Sequence, residues 1–144
     1  EASVTNTATV SGTGITPVTA AETVNAEAAP NLAITKSVSP VPVTENGTLT
    51  YTFRIQNYGS VAATNTTGVV ITDTFAPVLN NLTAALNGTA WTAATDYTYN
   101  EATGTFSSTA GAITVPAATY TQDSTTGAWV VTPGESTLVI TGTV

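Results

Sequence analysis

The chain has 144 residues, enough for one domain with a core. Its 42% hydrophobic content is mostly Val, Ala, Ile and Leu scattered through Thr-rich sequence, a composition suited to pleated, half-buried strands. Two basic residues stand against nine acidic ones, for a formal charge of -7, which argues against nucleic acid as a partner. Cysteine, methionine and histidine are absent, which removes disulfides, thiol nucleophiles, Cys/His metal sites and the usual His general base, so neither a cofactor nor an enzyme is expected.

Alternating apolar runs recur along the chain at Val4 to Val10, Val18 to Val24, Leu32 to Val38, Leu49 to Ile55, Val69 to Phe75, Tyr97 to Phe106, Ile113 to Tyr120, Trp129 to Val131 and Leu138 to Val144. Between them lie "SGTG", "SPVP", "ENGT", "NYGS", "NGT", "NEATG", "DSTTG" and "TPGES", all rich in turn-forming Gly, Pro, Asn and Asp. No segment carries a sustained 3.6-residue apolar stripe, and no apolar run approaches the roughly 20 residues of a membrane-spanning helix. The pattern predicts an all-β protein, an immunoglobulin-like antiparallel β-sandwich.

The alternation breaks at "AEAAP", residues 26 to 30. Residues 1–26 therefore read as a two-strand segment, 27–30 as a linker, and 31–144 as a sandwich that stops inside a strand, so that both ends look cut. Few lysines and abundant Thr, Asn and Gly suit an exported surface protein. Sequons beginning at Asn46, Asn65, Asn81 and Asn87 permit glycosylation, although Thr-rich sequence produces such triplets by chance.

From Asn31 onward, "NLAITKSVSP", "GTLTYTFRIQNYGSVAATN", "VVITDTFAP" and "TPGESTLVITGTV" follow one another in an order that resembles the conserved repeat domain of prokaryotic surface proteins known as domain of unknown function eleven. Residues 76 to 130 match only loosely. The resemblance implies an extracellular sandwich, often in tandem, whose "PGES" strand is followed by a segment like "TNTATVSG" and one further strand. Here that segment stands at the front, in residues 3 to 25, so 31–144 is expected to lack its last strands and 1–26 to be last strands without a sandwich.

Folding back would require the linker to travel the length of the domain, about 25 Å, whereas five residues reach at most about 17 Å. An incomplete sandwich exposes an edge and an apolar groove, both templates for another chain's strand. The expected function is thus a structural subunit of an extracellular filament, with identical subunits joined head to tail by donor strands carrying Val4, Ala8, Val10, Val18 and Val24. The alternative is a stalk or binding domain of a tandem-repeat adhesin that presents a glycan or host-surface site from residues 80 to 125.

Side chains two apart share a strand face. Lys36 lies in register with Leu32, Ile34 and Val38; Asp73 with Val69, Ile71 and Phe75; Asn6 with Val4, Ala8 and Val10; Arg54, between Phe53 and Ile55, faces outward. Three polar residues in inward registers must find one another or escape to water, because burying an isolated ion costs on the order of several kcal/mol. They are similar to the Lys, Asn and acid that form isopeptide bonds in surface and pilus domains of related architecture. In that reading Lys36 is the nucleophile, Asn6 the electrophile and Asp73 the assisting acid, with Glu22 as the alternative acid. Desolvation favours the neutral amine and the protonated carboxyl group that such a reaction needs. The simpler alternative is a Lys36–Asp73 ion pair with Asn6 nearby.

Asp96, Glu101 and Asp123 lie near turns without calcium-loop spacing and are expected to be solvated, so no metal site is assigned. Trp91, Tyr97, Tyr99, Tyr120 and Trp129 fit core packing better than a carbohydrate platform.

Overall fold

A computed structural model describes residues 2–26 and 28–144. Residue 1 of the N-terminal segment and residue 27 of the linker lie outside the described residues. The protein is all-β with antiparallel sheets. Its strands are β1 (Ala2–Gly12), β2 (Ile15–Ala26), β3 (Leu32–Ser39), β4 (Thr48–Asn57), β5 (Thr72–Thr74), β6 (Asn80–Leu86), β7 (Thr89–Ala90), β8 (Tyr97–Asn100), β9 (Thr105–Ser108), β10 (Thr119–Gln122), β11 (Trp129–Thr132) and β12 (Gly134–Thr143).

Four sheets result. A five-stranded sheet has the order β3-β4-β12-β6-β7 and a three-stranded sheet the order β5-β9-β8, while β1-β2 and β10-β11 are two-stranded ribbons. The core lies between the first two. Period-two alternation places Leu49, Tyr51, Phe53 and Ile55 of β4 and Leu138 and Ile140 of β12 on one buried face, with Phe53 opposite Leu138 and Tyr51 opposite Ile140. From the other side come Ile71, Phe75, Tyr97 and Phe106, with Ile113 and Val115 from a loop. Phe75 ties the layers together: its ring lies 4.8 Å from that of Tyr51 and 6.2 Å from that of Phe106. Arg54 points outward, as expected, and pairs with Glu135 at 2.7 Å. That bond holds the Arg54 guanidinium above and the Glu135 carboxyl below their ordinary pKa values, but both groups are solvent-exposed and the pair adds little stability.

The structure corrects four segments. The run Tyr97 to Phe106 is a hairpin, β8-turn-β9, because the chain turns at Gly104, whose φ of 73° favours glycine. Ile113 to Tyr120 becomes strand only from Thr119; Ile113 and Val115 are buried without regular pairing, apart from a bridge between Val115 and Ala63. Val69 to Ile71 precedes β5 as irregular chain. Strand β6, "NNLTAAL", has an apolar content too small and too Ala-rich to stand out in the sequence, yet it pairs with β12 from Leu86 opposite Leu138 to Thr83 opposite Thr141.

Asn57, fully buried at the end of β4, closes the pole at which β3 starts. Its amide nitrogen donates to the carbonyls of Val61 (2.8 Å) and Pro116 (3.0 Å), and its Oδ1 accepts from the backbone amides of Asn31 and Gly59, both at 2.9 Å. One side chain thus satisfies three chain segments and fixes where residues 28–31 join the domain. Gly59 sits here because a Cβ would collide with the Ala29 carbonyl. An Asn57→Ala variant is expected to lose about 3 kcal/mol of stability in urea unfolding, since several buried groups lose their partners together at roughly 1–3 kcal/mol apiece. A loss below about 1 kcal/mol would show that water replaces the amide.

Candidate functional site

The site begins with a mismatch across one sheet. Ile34 of β3 and Ile55 of β4 are directly opposite and share a face, yet Ile55 is 3% exposed and Ile34 53%. Leu32 and Val38, on the same face, are also exposed, although their partners Asn57 and Tyr51 are buried. The covering layer therefore ends above β4 and leaves β3 bare. An apolar cleft of about 160 Å³, lined by Leu32, Ala33, Ile34, Ile55, Val69, Val70 and Ile71, runs between β3 and the chain leading into β5.

Two polar groups mark one point along this groove. Lys36 of β3 makes an ion pair through Nζ with Asp73 Oδ2, so the structure joins two of the three residues singled out from the sequence. The amine also lies 4.9, 5.5 and 5.3 Å from the ring centroids of Tyr51, Phe53 and Phe75, a cation-π cradle that anchors it to the aromatic core. Asp73 Oδ1 accepts the backbone amide of Thr74 at 2.8 Å. The Lys36 side chain is 42% exposed and that of Asp73 18%, which corrects the expectation of a buried lysine. Its register is inward, as the sequence indicates, but its aromatic and carboxylate neighbours cover it only in part.

Asn6 is elsewhere. It lies in the β1-β2 ribbon directly opposite Glu22, so the electrophile and the alternative acid of the sequence analysis are cross-strand neighbours. The other pairs on this face are Val4 with Val24, Ala8 with Ala20 and Val10 with Val18, and these four valines are 64–69% exposed. The ribbon thus displays an apolar face interrupted at one cross-strand pair. An isolated two-stranded ribbon is marginally stable in water. The opposite face is Thr-rich, with Thr5 and Thr23 hydroxyls in contact at 2.8 Å.

The remaining candidates are occupied structurally. Asp96 accepts the Thr92 amide at 2.7 Å, Glu101 the Asn81 amide at 3.2 Å, and Asp123 the Thr125 and Thr126 amides at 2.7 and 3.0 Å. The Thr126 and Thr125 bonds hold the Asp123 carboxyl below its ordinary pKa, as expected for a turn cap. No group of three acidic residues suited to a metal occurs among the described residues. Asn46 and Asn81 sit at exposed positions with φ of 59° and 52°, and Asn65 opens a short 3-10 turn. The Asn87 side chain is committed to β12, donating to Ser136 Oγ at 3.2 Å and accepting from the Thr137 amide at 2.8 Å.

Trp91, Tyr97 and Tyr99 pack on the core, while Tyr120 and Trp129 stand exposed on the β10-β11 ribbon. In a broader open depression beside Tyr97, Tyr99 and Glu101, the Tyr99 hydroxyl is already committed, donating to the Leu79 carbonyl and accepting its amide. The groove of β3, smaller but apolar and unfilled, is the stronger candidate. No helix among the described residues is long and apolar enough to cross a membrane. No family model, curated protein or solved structure matches the chain.

Proposed function

We propose that the protein is a structural subunit of an extracellular filament, an immunoglobulin-like sandwich that polymerises head to tail by donor-strand complementation. The observation that carries this reading is the exposure step from Ile55 to Ile34 across a single strand pair, the step expected where a further strand belongs above β3. The chain also holds a strand pair with an uncovered apolar face. Donor and acceptor are different surfaces, so each subunit offers one of each and the contact repeats without closing. Moving Val4, Val10, Leu32, Ile34 and Val38 out of water gains on the order of 5 kcal/mol before association costs.

The junction also has the chemistry for a covalent lock. With Asn6 seated over Lys36, the ammonium first gives a proton to the Asp73 carboxylate; the amine so freed attacks the Asn6 Cγ, the new C–N bond forms, the Cγ–Nδ2 bond breaks, and nitrogen leaves as ammonia with the proton that the attacking amine loses, passed through Asp73 or Glu22. No other reactant is needed. Each junction would then survive dilution, since covalent linkage removes its dependence on subunit concentration.

Two single variants test the assembly. Val10→Asp spoils the donor face and Ile34→Asp the acceptor face, and both positions are exposed within the chain, so each variant should fold. Wild-type protein is expected to form filaments in negative-stain micrographs; each variant alone should remain monomeric; their mixture should form a 1:1 heterodimer, because only the intact donor of one and the intact acceptor of the other remain. Polymerisation by either variant alone, or monodisperse wild-type monomer, contradicts the reading. The lock is tested separately by intact mass after boiling in detergent: ladders lighter by one ammonia per junction are expected, and wild-type filaments that dissolve to unmodified monomer would exclude it.

A further inference from the structure

Resting on the donor-strand reading, we infer the pairing mode: the β1 strand of a second copy adds antiparallel to the free edge of β5, with Asn6 beside Asp73, extending the smaller sheet to β2-β1-β5-β9-β8. Strand β5 is at the end of its sheet, bonded to β9 on one side only. The Ser108 amide donates to the Ile71 carbonyl and the Phe75 amide to the Gly104 carbonyl, so the backbone groups of Ile71 and Phe75 point to β9. By alternation those of Thr72 and Thr74 point away from it, toward the open side. An unpaired edge beside an uncovered apolar face is the arrangement that strand addition completes.

The register follows from matching polar to polar. Residues 71, 73 and 75 point inward and run alongside β3: Ile71 shares the cleft with Ile34, Asp73 holds Lys36, and the Phe75 ring lies on Tyr51, the partner of Val38. Along this groove Lys36 and Asp73 form the polar step between Ile34 and Ile71 on one side and Val38 and Phe75 on the other. Along the ribbon, Asn6 and Glu22 are the polar step. Placing Asn6 beside Asp73 sets apolar residues against apolar ones on both sides; a shift of two residues puts a valine or alanine on the ion pair and the Asn6 amide on apolar side chains. Glu22, across from Asn6 on the side away from Asp73, brings a second carboxylate toward the chain's only lysine.

The direction follows from the shape of the cleft. The apolar cleft extends from Ile71 back to Val69 and Leu32, whereas beyond Phe75 the chain turns at Ala76 and Pro77. An antiparallel β1 places Ala8 beside Ile71 and Val10 beside Val69, inside the cleft, with Val4 beside Phe75. A parallel β1 would leave Val10 beyond the end of β5. Antiparallel docking brings the base of the ribbon to the Ser39 end of β3, while the chain enters β3 at Leu32. Eight residues of strand cover about 26 Å, and residues 27–31 reach about 17 Å, so the ribbon that docks this way comes from another copy.

The absence of cysteine gives a clean test. In the inferred register Thr7 stands opposite Thr72 on the outer face, and both are exposed in the single chain. Full-length T7C/T72C, assembled and mildly oxidised, should give reducible ladders of linked subunits at least tenfold more readily than T9C/T72C, displaced by two residues, or T5C/T72C, which reports the parallel alternative. Ladders from T5C/T72C overturn the direction, and ladders from T9C/T72C the register. A T7C/T72C disulfide within a monomer overturns the second copy as occupant. Filaments that form without the T7C/T72C link overturn the pairing while leaving donor-strand assembly standing, whereas failure of wild-type protein to assemble overturns both.

Discussion

The uncovered face of β3 is the constraint on which the rest of the molecule depends. Hydrogen bonding to β4 fixes that strand along one edge and sets Leu32, Ile34, Lys36 and Val38 on the face that β4 buries. The opposing sheet has three strands against five and ends at β5. Half-exposed aliphatic side chains in a continuous row favour whatever excludes water from them. The ribbon β1-β2 has the same imbalance in reverse: a row of valines and no layer beneath. In the proposed assembly each surface would supply what the other lacks.

In the proposed contact the Lys36–Asp73 pair would set specificity. In the open groove the pair remains in partial contact with water, so it avoids part of the desolvation that burial of an ion pair imposes. A docking strand removes that water, and a wholly apolar strand would leave the pair with only its own two charges and the aromatic rings below it. Asn6 offers an amide that hydrogen-bonds to both ammonium and carboxylate, and Glu22 adds a charge opposite to that of the lysine. In the docked register proposed, the polar step that sets register would also bring the Lys36 amine to the Asn6 amide, so recognition and covalent locking would draw on one set of residues.

Much of this was legible from alternation. The strands β1 to β4, β11 and β12 follow period-two apolar patterns bounded by Gly, Pro and Asn, and the inward registers of Lys36 and Asp73 were readable because two-residue spacing fixes a face before any partner is known. What the sequence hid has physical causes. Lys36 keeps its inward register yet stays 42% exposed because the opposing layer ends above β4, and where a layer ends is something no single-strand pattern encodes. Asn57 appears as one more turn-proximal Asn in "IQNYG", although its amide unites residues 31, 59, 61 and 116; contacts separated by 59 residues leave no local signal. Strand β6 owes its place to pairing with β12 rather than to its own side chains, and Ile113 and Val115 are buried by a loop that no periodicity describes. The Asn6–Glu22 juxtaposition follows from the ribbon's register, set by the turn at Thr13 and Gly14, where Gly14 has φ of 75°.

Helical reconstruction of the assembled protein decides whether another copy of the same chain supplies the layer above β3. Donor-strand completion predicts a ribbon of density over Ile34 and Lys36 that is continuous with the linker of the adjacent subunit. A groove left empty in the assembly, or filled by the ribbon of its own subunit, would contradict it.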